Sequence, residues 1–247
     1  MEAEEKDLMK RKGTILITGG AKRIGRALAL ALSQEGYKIA LHCHLSKKEG
    51  QALCQTINKA KGHAKLFECN LGSEAQSLKL IRQVKKECPD LCALVNNASI
   101  FKRSRISSSS MKMFHDNLHI NFIAPYIFTK HFAKYAKTGS IINILDTNIV
   151  SHTSTHADYL LSKKALAQLS ALSAVELAPR LRVNAVAPGL ILPPKDKTQS
   201  YLTKRSKIIP LKKHGSPKHI VQAVLFLLEN DFITGETIFV DGGEHLV

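Results

Sequence analysis

No stretch of the 247 residues approaches 18 uninterrupted apolar positions, so no membrane-spanning helix is expected. The opening MEAEEKDLMKRK lacks the apolar centre of a secretion signal, and residues 1–13 read as a flexible lead-in. Cysteine is sparse and odd in number: Cys43, Cys54, Cys69, Cys88 and Cys92, with no C-x-x-C pair. A disulfide framework is therefore excluded, and a reduced, cytoplasmic setting is the simplest expectation. Cys88 and Cys92, in CPDLC, have no second pair with zinc-site spacing, and the 11 histidines are scattered, so no metal is expected. No helix-turn-helix, zinc finger or aromatic stacking platform is evident, which argues against a nucleic-acid binder.

Acids are also scarce. Twenty Asp and Glu face 36 Lys and Arg, for a net charge of +16. Such a field attracts anions, whether nucleotide, acidic substrate or acidic protein. The excess peaks between 195 and 218, where Lys195, Lys197, Lys204, Arg205, Lys207, Lys212, Lys213 and Lys218 stand against Asp196. A solvated basic face and an anion-attracting surface both fit that run.

What the chain does have is alternation. Short β-branched runs at 14–18, 38–44, 63–70, 91–97, 139–145, 181–188 and 236–240 read as strands. Helical patterns fall at 22–36, 47–61, from about 73, 111–136, 156–178 and 217–229. Residues 190–214 read as irregular, and SSSS (107–110) as a loop or helix entry. Strands this apolar are buried on both faces, which implies a parallel sheet covered by helices. The expectation is an α/β fold: one doubly wound Rossmann domain over 14–247, with a seven-stranded parallel sheet.

The loop TGGAKRIG (18–25) joins the first strand to the first helix. Glycines there let backbone N–H groups approach a phosphate, and the helix N-terminus adds favourable partial charge. An NAD site places a carboxylate after the second strand, to hold the ribose 2′-hydroxyl. Here that point reads HLSKK, with His44, Leu45, Ser46, Lys47 and Lys48, and Arg23 lies in the neighbouring loop. A cationic, hydroxylated pocket suits a 2′-phosphate, so NADPH is expected over NADH; solvent-facing lysines at a helix start fit the same residues. Tyr159 and Lys163 stand i and i+4 on the 156–178 helix and share a face. A lysine cation beside a phenol favours its ionised form and lowers its pKa, which prepares it for proton relay.

TGGAKRIG, NNAS (96–99), Asn121, YLLSK (159–163) and APG (187–189) occur in the order seen in short-chain dehydrogenases/reductases, and the sequence resembles that family from about Thr14 to Gly243. The resemblance implies a cofactor site of Gly19, Ala21, Lys22, Arg23, Ile24, Gly25, His44, Ser46, Asn70, Leu71, Asn97, Ala98, Ser99, Tyr159, Lys163, Pro188, Gly189 and Leu190. It implies that Lys163 binds the nicotinamide ribose and that Asn121 holds a water in the proton relay. It also implies a substrate lid over 190–214 and a homotetramer. Asn70 departs from the family's aspartate near adenine.

Asp146 is the larger departure. It stands thirteen residues before Tyr159, where most of the family has a serine. A carboxylate repels the charge that develops on a ketone oxygen, and it raises the tyrosine pKa. It suits a C=N bond, whose nitrogen gains a proton as its carbon gains hydride. Pteridine reductases and bacterial dihydromonapterin/dihydrofolate reductases share this aspartate, and TGGAKRIG, NNAS and PGLILPP resemble theirs. That resemblance implies a pterin or folate substrate bound by Ser99, Phe101, Asp146 and Tyr159. Two readings stay open from the residues: Asp146 as a cap with Thr147 in the serine's place, and Phe101 as a packed loop residue. The alternatives are a 3-oxoacyl carrier-protein reductase and a non-catalytic NADP(H)-binding sensor.

Overall fold

The structure is a computed structural model, and it describes residues 12–153, 155–194 and 197–247. All but the last two residues of the 1–13 lead-in therefore lie outside the described residues, as do Lys195 and Asp196 of the basic run. Seven parallel strands form one sheet in the order β3-β2-β1-β4-β5-β6-β7. They are β1 (Thr14–Ile17), β2 (Lys38–Cys43), β3 (Ala64–Glu68), β4 (Leu91–Asn96), β5 (Gly139–Ile144), β6 (Leu181–Pro188) and β7 (Thr237–Val240). The helices are α1 (Arg23–Gln34), α2 (Lys47–Lys59), α3 (Glu74–Glu87), α4 (Met111–Leu118), α5 (Ala124–Tyr135), α6 (Ala157–Leu177), α7 (Gln199–Ser206) and α8 (Pro217–Glu229).

The strand pattern explains the two layers. Successive side chains of β1 point to opposite faces, and all four are buried. Ile15 and Ile17 join Leu28, Leu32, Leu53 and Val224 in the core beneath α1, α2 and α8. Leu16 joins Leu80, Ile81, Val84, Phe128 and Phe132 on the other face. Strand order reverses between β1 and β4, so a crevice opens at the carboxyl ends of these strands. The edge strand β3 is protected by charge: Lys65 pairs with Glu87 at 2.7 Å and Lys47 with Glu68 at 2.9 Å.

Two expectations need correction. The 111–136 helix is interrupted by a π-helical segment at His119–Ile123. Pro125 has no N–H to donate to the Asn121 carbonyl four residues back, so the ladder widens there. Residues 190–214 are not wholly irregular, because α7 lies within them. Its Leu202 is buried, which anchors this short polar helix. The serine run ends at Ser110, whose hydroxyl accepts from Met113 N–H and caps α4.

Candidate active site

The crevice holds a cavity of about 830 Å³. Gly19, Lys22, Arg23, Ile24, Gly25, His44, Ser46, Asn70, Leu71, Asn97 and Ala98 line one end. Ser99, Phe101, Asp146, Tyr159, Lys163, Pro188, Gly189 and Leu190 line the rest. Two expected residues do not line it. Ala21 is buried and lines instead a smaller depression beside α1 and α2, with Arg26, Ala52 and Thr56. Asn121 is fully buried beside it.

The glycine loop is fixed by its packing. A Cβ on Gly25 would lie 2.4 Å from the Gly19 carbonyl oxygen and 2.7 Å from Asn97 Nδ2. Gly19 adopts φ +61°, and its N–H donates to Nδ1 of His42 at 3.1 Å. His42 Nε2 lies 3.0 Å from the Cys69 carbonyl, and the neutral ring protonated on Nε2 satisfies both contacts. Burial pulls the His42 pKa down to about 4, which keeps the ring neutral. No side chain caps the N-terminus of α1 and no acid stands in its first turn, so its free N–H groups and positive dipole end meet the cavity. That donor set fits a dinucleotide pyrophosphate. Beyond it, His44, Leu45 and Ser46 follow β2, and no carboxylate lines this end. Lys22 is half-exposed and pairs with Glu49 at 2.6 Å. Asn70 turns its Oδ1 to the Gly72 N–H at 2.9 Å and shapes the turn after β3.

The other end is built on side chains. Tyr159, in the first turn of α6, donates its hydroxyl to Asp146 Oδ2 at 2.8 Å. The second carboxylate oxygen, Oδ1, accepts from the Asn148 N–H at 2.8 Å. Asp146 is thus both a cap and the partner of the tyrosine. Thr147 does not take the serine's place: although it lines the cavity, its hydroxyl donates to Asp241 Oδ2 at 2.5 Å. Burial alone would raise the Asp241 carboxyl, yet hydrogen bonds from Thr147, Gly243 and His245 hold it below the usual range.

Of the two opposed expectations for Tyr159, lowering by Lys163 and raising by Asp146, the second prevails. Burial, and then the charge and hydrogen bond of Asp146, push the phenol well above its ordinary value; a Ser99 hydroxyl contact opposes them. Lys163 Nζ instead donates to the Ile144 carbonyl at 2.6 Å and stands 5.9 Å from the Tyr159 ring centroid. Burial brings the Lys163 pKa down to about 8, against a raising pull from Asp146. At neutral pH the phenol is protonated and the ammonium is charged.

Asn121 acts through backbone. Its Oδ1 accepts from the Ile100 N–H at 3.0 Å, and its Nδ2 donates to the Ile100 carbonyl at 3.1 Å and to the Ser162 hydroxyl at 3.0 Å. The side chain ties the loop bearing Ser99 and Phe101 to α6, so it is a positioning residue in this geometry. Phe101 is 54% exposed at the cavity, with its ring packed against His156 and Tyr159.

Several lining residues were not singled out from the sequence, among them His42, His156, Tyr201 and Glu244, and Arg205 was read only as part of the basic run. Of the described basic residues between 197 and 218, only Arg205 reaches the cavity, where it meets Glu244 at 3.2 Å. Glu244 also accepts from the Leu190 N–H at 3.2 Å. Burial raises its carboxyl, with Arg205 opposing. Arg23 reaches across to the Pro193 carbonyl at 2.9 Å, closing the same segment from the other side. None of these contacts follows from spacing along the chain.

A family described as enoyl-(acyl carrier protein) reductase matches residues 19–245. The chain belongs to the short-chain dehydrogenase/reductase family of oxidoreductases. It is 32% identical to carbonyl reductase family member 4 of Danio rerio, over 94% of this chain and 98% of the relative. It is 31% identical to the 3-oxoacyl-(acyl-carrier-protein) reductase FabG of Staphylococcus epidermidis, again over 94% and 98%. Among solved structures, FolM alternative dihydrofolate reductase 1 from Brucella canis, complexed with NADP, superposes with a TM-score of 0.92. Its identity is 31%, over 97% of this chain and 96% of that one.

Proposed function

We propose that this oxidoreductase uses NADPH to reduce a dihydropterin, such as dihydromonapterin, dihydrobiopterin or dihydrofolate, to the tetrahydro form. The observation that carries the reading is the Tyr159 hydroxyl donating to Asp146 at 2.8 Å. When bound, the reduced nicotinamide supplies a hydride to the ring carbon. Tyr159, held protonated, gives its proton to the ring nitrogen of the same C=N bond. Asp146 stabilises the positive character growing there and returns a proton from solvent to the phenolate. Lys163 fixes its charge beneath the tyrosine and would hold the cofactor ribose. Gly19, Gly25 and the N-terminus of α1 would hold the pyrophosphate, with Lys22, Arg23 and Ser46 toward the 2′-phosphate. Ala98 and Ser99, with Pro188, Gly189 and Leu190, would flank the nicotinamide. Phe101 would stack on the pterin.

The FolM neighbours complexed with NADP support this cofactor and branch. A second reading, reduction of a 3-oxoacyl thioester, is favoured by the FabG relatives. The two separate on one assay: NADPH consumption with dihydrofolate, dihydromonapterin, dihydrobiopterin and an acetoacetyl thioester. Preference for the dihydropterins, lost in Asp146→Ser, supports the first; preference for the thioester overturns it. We also propose a homotetramer. Leu161, Leu172 and Val175 are exposed along one face of α6 and fit self-association. Among the described residues no helix is long and apolar enough to cross a membrane.

A further inference from the structure

We infer that His156 is a specificity-determining residue: it sets the plane of Phe101 and thereby gives the cavity its preference for flat conjugated rings. The two rings stack with centroids 4.3 Å apart and an interplanar angle of 11°. The edge contact between Phe101 and Tyr159, at 4.8 Å and 86°, fixes Phe101 in a second direction. One face of Phe101 is covered by His156, and Tyr159 abuts the ring nearly at right angles. The rest of the ring is accessible at the cavity wall, a large apolar side chain left 54% exposed. That surface, beside Tyr159, is where a planar ring would stack.

His156 is itself held rigidly. The backbone at Ser104 pairs with the segment before α6: Ser104 N–H donates to the Thr155 carbonyl at 3.0 Å, and Ala157 N–H to the Ser104 carbonyl at 3.3 Å. Loop and helix start therefore move as one piece. The Thr155 hydroxyl lies 2.9 Å from His156 Nδ1 and fixes the rotation of the ring. The charges that act on the imidazole are opposed, Arg103 on the loop side and Asp146 in the site. Burial and Arg103 outweigh Asp146 and keep the ring on the neutral side. Stacking area, rather than a cation, is then what His156 contributes.

The inference rests on the pterin reading, and the test separates the two. Wild type, His156→Ala and His156→Phe are compared at saturating NADPH with dihydrobiopterin and with an acetoacetyl thioester. An aromatic pair of this kind corresponds to about 2- to 10-fold in affinity. His156→Ala should raise the dihydrobiopterin KM by about that factor. Its kcat and its thioester KM should hold, and His156→Phe should restore the KM. An unchanged dihydrobiopterin KM, an equal rise with the thioester, or no rescue by phenylalanine overturns the inference. If wild type consumes no NADPH with dihydrobiopterin, dihydromonapterin or dihydrofolate, the pterin reading fails. The wall is then read by titrating fluorescent pterin into NADP-loaded protein. Weaker binding to His156→Ala sustains the inference; equal binding, or none to any form, overturns it.

Discussion

The two ends of the cavity are made of different material. At the glycine-loop end the contacts come from backbone: the Gly19 N–H on His42, the uncapped turn of α1 and the close approach of Gly25 to Gly19. At the Tyr159 end they come from ionisable side chains, with Asp146, Tyr159 and Lys163 held within a few bonds of one another. Backbone donors bind a phosphate in much the same way whatever surrounds them. Side-chain charges tune one reaction. The first end therefore speaks for the family, and the second for the substrate.

The sharpest way to divide them is Tyr159→Phe. Removing the proton donor should cost about 10²- to 10⁴-fold in turnover. NADPH affinity, read by fluorescence titration, should stay near wild type, because the backbone end is untouched. Comparable losses in both would break the comparison. The reverse experiment is Gly25→Val. Its Cβ would meet the backbone oxygen of Gly19 at 2.4 Å, so the loop itself must shift. We expect about a 10-fold or greater loss of NADPH affinity, on the scale of overpacking a tight contact. The hydrogen bond between Tyr159 and Asp146, seen through the tyrosine ultraviolet titration, should remain.

A smaller effect concerns pH. Lys163 carries its charge below about 8 and loses it above. The kcat/KM for NADPH reports ionisations of the free enzyme, so it should fall as pH rises through about 8. Asp146 raises the pKa of Lys163 and of Tyr159. In Asp146→Asn both move down, and the alkaline limb should shift to lower pH. A limb that stays in place would assign it to another group.

How much of this was legible depends on the range of the interaction. The sheet, its order of elements and the glycine loop rest on local periodicity and turn chemistry, which a sequence carries openly. Tyr159 and Lys163 share a helix face, and Asp146 stands at a fixed distance along one strand–loop–helix unit. The Tyr159 pKa was legible in part: Asp146 gave the upward push, but only the fold shows the ammonium turned to the Ile144 carbonyl and the ring buried. The π-helical segment hid in an unbroken helical pattern, although Pro125 was the local signal for it. Glu244 was invisible for a different reason. It lies 54 residues from Leu190 and reaches it only because Gly242 and Gly243, at φ +69° and +89°, turn the chain end back over the site.

That long-range contact gives the mildest test of the comparison. Arg205 and Glu244 join α7 to the C-terminal turn at 3.2 Å, and the arginine side chain is 47% exposed. A half-solvated ion pair is screened and contributes about 0.2–1 kcal/mol. Arg205→Ala should therefore raise the dihydropterin KM by no more than about fivefold, with kcat held, because Arg205 lines the cavity away from Tyr159 and Asp146 in the proposed reaction. The change should shrink further in high salt, as screening already weakens the pair in wild type. If Arg205→Ala instead lowered kcat as far as Asp146→Asn does, α7 would belong to the chemistry, and the line between a general end and a tuned end would have to be redrawn through it.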